Sequence, residues 1–280
     1  MTRVGAGWTA RARRAGAVLL PCLALALPLG PAAAQDAAAE AGKVQRIATR
    51  DGVTVPVYLV RRADAQATVV LFAGGAGGYG KIGEDGWPAS DNFLIRTGKL
   101  WARYPFNVAM VGRPSDGIDL GQGEVRAGDA HAADNAAVFR QLKEDMPQPL
   151  WLVGTSMGTI SAAAAAIHDT EALVAGIVLS SSVTADRIPG TVPRQALDKI
   201  RVPTLIIHHV DDACRICQPA AARQIEGQLK NAPIHQTLMV SGGSGASGNP
   251  CQALHYHGFI GMEEQAVELI ARWILKPGAE

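Results

Sequence analysis

Short apolar runs recur along this chain with helical stretches between them, and that alternation limits the fold more than any other feature. Ala67–Phe72, Asn107–Val111, Leu150–Val153, Ala175–Leu179, Thr204–Ile207 and Thr237–Val240 read as strands, and Val53–Val60 alternates as an earlier one. Runs that are apolar at every position belong in a sheet covered on both faces. Between them, Asn92–Tyr104, Ala130–Asp145, Thr159–His168, Ala220–Leu229 and Glu263–Leu275 read as helices, with Asp129 the N-cap of the second. No internal repeat interrupts the series. Strand and helix in strict turn predict one α/β domain, a mostly parallel sheet with helices on both faces. Such sheets bind ligands beyond the carboxyl ends of their strands, so the loops after strands hold the candidate site.

The 280 residues suffice for one domain with a sizeable core. Arg3, Arg11, Arg13 and Arg14 precede an apolar run, Ala15–Leu29, and then Pro31-Ala-Ala-Ala34. This order predicts a secretory signal peptide over residues 1–34, cleaved after Ala34, and hence a periplasmic or secreted protein. The run is short of the ~20 residues a span needs, and Pro21 and Pro28 interrupt it, so no stable membrane span is expected after cleavage. Arg13-Arg14 leaves a twin-arginine route open. Residues 35–43 read as a flexible lead-in and 44–280 as the domain. Losing four arginines and no acid takes the formal charge from +1 to −3, with no basic stripe, which argues against a nucleic-acid partner.

Gly154-Thr-Ser156-Met-Gly158 lies where a buried strand meets an Ala-rich helix. G-x-S-x-G in that context is a nucleophile elbow: a sharp turn lifts the serine hydroxyl above the sheet, and the helix start points amides at the same spot. Glycines on both sides let the strand and helix backbones approach. Ser156 is the candidate nucleophile and the N–H of Met157 a candidate oxyanion donor. An inert serine in a tight turn is the competing reading.

Three motifs in order, Gly154–Thr159, His208-His-Val-Asp-Asp-Ala-Cys214 and His257-Gly-Phe259, make residues 67–275 resemble the α/β-hydrolase superfamily, in particular small secreted bacterial serine hydrolases. The resemblance implies a Ser–Asp–His triad, an acyl-enzyme, no cofactor and no metal. The acid would follow a late strand, which places it at Asp212, with Asp211 the adjacent rival and His209 where glycine is commoner. The base would be His257, with His255 the competitor. The glycine loop after Phe72 would be the oxyanion loop, its donor the N–H of Gly75 or Ala76, where glycines keep side chains out of the way. That loop also imitates phosphate-binding motifs, since Gly75, Gly77 and Gly80 match a dinucleotide fingerprint and Gly75, Gly80 and Lys81 nearly match a P-loop. Both need a helix to follow at once. Gly83, Gly86 and Pro88 argue against one.

Cys214, Cys217 and Cys251 remain after signal cleavage. In an oxidising compartment they suggest one disulfide, from Cys214 or Cys217 to Cys251, tying the acid loop to the base loop. A zinc site with His255, or a Cys214–Cys217 pair, are the alternatives. The short stretch between Ser182 and Pro203 leaves little or no room for a lid domain. The expected activity is hydrolysis of a small or exposed ester. An acyltransferase with the same triad, or a silent binding protein on the same fold, are the rivals.

Overall fold

The computed structural model describes residues 41–279. The signal peptide and most of the lead-in expected from the sequence lie outside them. Eight strands form the main sheet: β1 Lys43–Arg50, β2 Val53–Val60, β3 Ala67–Phe72, β4 Phe106–Val111, β5 Leu150–Thr155, β6 Val174–Ser180, β7 Thr204–His209 and β8 His235–Val240. Their spatial order is β1-β2-β4-β3-β5-β6-β7-β8. β1 and β2 form an antiparallel pair, β2 runs antiparallel to β4, and every later pairing is parallel. The sheet is therefore mostly parallel, as the sequence predicts.

The pleat sends alternate residues of each strand to opposite faces, and both faces are covered. Val70 and Phe72 of β3 join Leu152, Ile177 and Ile206 in one core, beneath helices α1 Asp129–Asp145 and α2 Met157–Ile167. Val69 and Leu71 join Val153, Leu205 and Ile207 in the other, beneath α3 Glu263–Leu275 and the short turns Phe93–Arg96 and Gly98–Trp101. Trp151 fits over Gly176, where any Cβ would collide with its ring, and meets Trp273 of α3 edge to face at 5.6 Å. The buried alanines Ala162–Ala165 let α2 press close to the sheet.

Three helix expectations need correction. Residues 92–104 make two short helices rather than one, because the chain turns at Thr97, whose hydroxyl and N–H both bond back to Phe93. Asp129 is the first residue of α1, and Gly128 occupies the cap position without a side-chain bond. Residues 220–229 yield only a 3₁₀ turn, Pro219–Ala221, and a short helix, Ala222–Glu226. β1 had no counterpart among the expected strands, since only Ile47 of its eight residues is fully buried. Between β6 and β7 two 3₁₀ turns, Val192–Arg194 and Leu197–Lys199, pack into the core, and no lid domain is inserted. Among the described residues no helix is long and apolar enough to cross a membrane.

Candidate active site

β5 lies at the centre of the sheet, and Ser156 follows its last residue. Its backbone stands at φ 52°, ψ −126°, a conformation that costs an ordinary residue about 1–3 kcal/mol and persists only where the surroundings impose it. Two close approaches impose it here. A Cβ on Gly154 would meet the Gly158 carbonyl, and one on Gly158 would strike the Phe72 carbonyl of β3. The strained turn leaves Ser156 partly exposed while its neighbours Thr155 and Met157 are buried.

The loops after β7 and β8 bring the predicted acid and base together. His257 Nδ1 lies 2.8 Å from Asp212 Oδ2, and both residues are at most 5% exposed. Asp212 Oδ1 accepts from the Cys214 N–H at 2.9 Å, which holds the carboxylate with Oδ2 toward the imidazole. Asp211 is exposed. His209, in the place of a commoner glycine, is locked between two partners: its Nδ1 accepts from the Asp211 N–H, so Nε2 donates to the Gly242 carbonyl. Tyr256 stacks on that ring at 4.6 Å. The base loop is tied at two successive carbonyls. Ser181 Oγ donates to the His257 carbonyl, and Arg96 donates to that of Gly258 while pairing with Glu263. Phe259 anchors the end of the motif against Phe93.

His257 Nε2 is buried and has no hydrogen-bond partner. The Ser156 hydroxyl instead contacts the Cys217 thiol at 4.0 Å. Serine and imidazole line the same cleft, so Nε2 stands free for a hydroxyl that turns away from the sulfur. Catalytic hydrogen bonds commonly tighten only when substrate binds.

The glycine loop after β3 closes the other side. Gly74 packs so tightly that a Cβ there would sit 2.9 Å from Ser156 Cβ. Gly75 and Met157 line the cleft, whereas Ala76 is exposed and is not among the lining residues. The chain beyond Gly80 enters a two-stranded ribbon, Lys81–Ile82 with Pro88–Ala89, not the helix a phosphate site requires.

Sequence reasoning missed three supporting residues. Arg126 is 2% exposed; its Nη2 donates to the carbonyls of Ala73 and Gly75, each at 3.1 Å, and its Nη1 to Ser161 Oγ. Burial pulls its basicity down to about 9, so it remains a cation at neutral pH. Asn92 accepts the Leu94 N–H through Oδ1, which turns its amide nitrogen toward Gly74. His208 Nε2 accepts the Ser182 N–H, and burial holds its pKa near 4, so a neutral ring lies behind the Asp212–His257 pair. A buried arginine carries no mark in sequence, and the motif that begins at His208 assigns that ring no role. Asn92 opens the expected helix 92–104, whereas in the structure it stands before Phe93 as the cap, a place its side-chain oxygen could have announced.

The sulfurs are disposed as the sequence suggested. Cys214 and Cys251 form a disulfide between the acid and base loops, and Cys217 is free and buried. The bond spends two of the thiols a zinc site would need. In the chain-entropy model, closing 37 residues contributes about 4 kcal/mol.

The cleft itself holds about 420 Å³ and is open to solvent. Ser90, Asp91, Asn92 and Gln252 bring polar groups to its walls beside the apolar Phe93, Met157 and Ile216.

No family model matches the chain, and no curated protein does. Solved structures do match. An α/β serine hydrolase homologue from Coxiella burnetii superposes with a TM-score of 0.57 at 15% identity, over 83% of this chain and 97% of that one. An esterase of Pyrococcus furiosus gives 0.58 at 14%, over 84% and 92%. A Xanthomonas campestris protein described as an α/β serine hydrolase without a lid gives 0.56 at 14%, over 86% and 97%. At these identities the likeness establishes a shared fold.

Proposed function

The chain has the α/β-hydrolase fold, and we propose that it is an exported serine hydrolase that cleaves an ester-like bond. The observation that carries this reading is a strained serine elbow sharing a cleft with a buried Asp–His pair whose far nitrogen is unpartnered. Ser156 Oγ attacks the substrate carbonyl and His257 Nε2 takes its proton. Asp212 holds the proton-bearing Nδ1 and stabilises the imidazolium that forms. The developing oxyanion is met by the N–H groups of Met157 and Gly75, the latter on the loop that Arg126 grips. His257 returns the proton to the leaving group, then activates a water that releases the acyl group from Ser156. None of these steps calls on a cofactor.

The open cleft, with no lid to bury a long chain, suits an exposed or short substrate better than a long acyl chain. Export rests on the leader in the sequence, and the disulfide is compatible with an oxidising compartment. Hydrolysis of esters of graded acyl length by residues 35–280, beside its Ser156→Ala variant, tests the reading. Short acyl groups should be preferred, and the variant should lose both turnover and labelling by a fluorophosphonate. Full labelling of Ser156→Ala would overturn the assignment. Product analysis with an added alcohol separates hydrolysis from acyl transfer.

A further inference from the structure

Three sulfurs and an imidazole lie together beside the cleft. Cys214 is bonded to Cys251, and Cys217 keeps a free thiol with none of its surface exposed. Cys217 Sγ, Cys214 Sγ and a ring nitrogen of His257 all lie within 4.8 Å of one another. The Cys217 N–H donates to the Cys214 carbonyl at 3.0 Å, closing a four-residue turn. A turn of that kind keeps its end Cα atoms within ~7 Å, which overlaps the range a disulfide spans. Cys214 thus has two possible cysteine partners, and it is joined to the one farther away in sequence. The proposed hydrolysis uses neither Cys217 nor the second partnership.

We propose that Cys217 exchanges with the Cys214–Cys251 disulfide and so makes Cys251 a modification site in the active cleft, open to a soft electrophile. Cys217 gives its proton to the unpartnered Nε2 of His257, and its thiolate attacks Cys214 Sγ. The Cys214–Cys251 bond breaks as the Cys214–Cys217 bond forms. Cys251 leaves as a thiolate and recovers the proton from the imidazolium. One disulfide and one thiol stand on each side of the step, so no oxidant or reductant is consumed. What changes is the position of the thiol. Cys217 is enclosed, whereas Cys251 is only partly buried and lines the cleft beside Ser156 and His257. Burial raises the Cys217 thiol well above the ordinary range, which keeps its thiolate scarce and the exchange slow. An electrophile in the cleft then traps Cys251 irreversibly and draws the equilibrium across.

The step does not need Ser156, so its test is independent of the hydrolase reading. Native protein of residues 35–280, which lacks Cys22, and its Ser156→Ala form would be incubated with iodoacetamide at neutral pH without reductant. Acid quenching and mapping of non-reduced peptides follow. The expected product carries one alkyl group on Cys251 with Cys214 linked to Cys217, and it accumulates with time in both proteins. Cys217→Ser and Cys217→Ala should keep the Cys214–Cys251 bond and take no label. Label on Cys217 with the original disulfide intact would overturn the proposal. So would label on Cys251 in the Cys217 variants, or native protein still unlabelled after several days, far beyond the time that alkylates denatured chain completely.

Discussion

Arg126→Met asks whether a buried cation outside the triad sets the oxyanion loop. The side chain donates to the carbonyls of Leu120, Ala73 and Gly75 and to Ser161 Oγ. Methionine fills much of the same volume but donates nothing. Two buried carbonyls and one partly buried one then lose their donor, at about 1–3 kcal/mol for each buried group. Removing a desolvated charge returns several kcal/mol of that loss. The net loss of stability should be about 1–4 kcal/mol, enough to see as a lower urea midpoint and small enough to leave a folded enzyme. The catalytic effect should be larger in proportion. Peptides 73–74 and 75–76 are held by their carbonyls, so their release lets the Gly75 N–H drift from the oxyanion. Losing one such donor costs about 10²–10³ in kcat. Ester hydrolysis at saturating substrate, with the fluorophosphonate labelling rate, measures it. The expectation is a kcat down ~10²-fold with KM little changed. A folded variant with kcat within threefold of the parent, or with a shift in KM alone, would refute the reasoning.

Two further outcomes follow from the site. Asp212→Asn should lower kcat by about 10⁴, and His257→Gln should be similarly severe, while Asp211→Asn and His255→Gln stay within about tenfold of the parent; steady-state kinetics showing the reverse ranking would move the triad by one or two residues. Burial holds His131 and His208 near pKa 4 against an ordinary value of 6.5, so between those values the unfolded chain binds more protons and stability falls as pH falls; urea midpoints should decline across that window and less steeply in His208→Gln, and an unchanged slope would remove that histidine from the account.

Most of the sheet was legible because its central strands are built on continuous apolar runs. Ala67–Phe72, Leu150–Thr155 and Thr204–His209 are buried throughout, and a run that reads the same on both faces has few alternatives in a chain of this length. β1 escaped because its burial is slight, and it is held by pairing with β2, a long-range fact that local pattern does not carry. The elbow and its strain were legible as a motif, but the partner that imposes the strain was not. That strain comes from Gly158 touching the Phe72 carbonyl, a contact between segments far apart in sequence. Asp211 and Asp212 are adjacent and alike in the chain, and they part only when the turn after His209 exposes one and buries the other. Arg126 stayed hidden for the opposite reason. An arginine is ordinarily a surface residue, and nothing near it in sequence announces the carbonyls it will meet.

Each group at the candidate site depends on a different loop, so the chemistry rests on how loops are held relative to one another. A triad loses rate quickly when its members drift by fractions of an ångström. The serine is fixed by glycine contacts to β3, the glycine loop by Arg126, and the base loop by Ser181 and Arg96. The acid loop is joined to the base loop by the hydrogen bond from His257 to Asp212 and by the disulfide. The Cys214 N–H that orients Asp212 belongs to the same residue whose sulfur is bonded to Cys251. The covalent tie and the carboxylate's orientation therefore share one residue. A change of partner at Cys214 would act on Asp212 through a single peptide unit, without any movement of the sheet beneath.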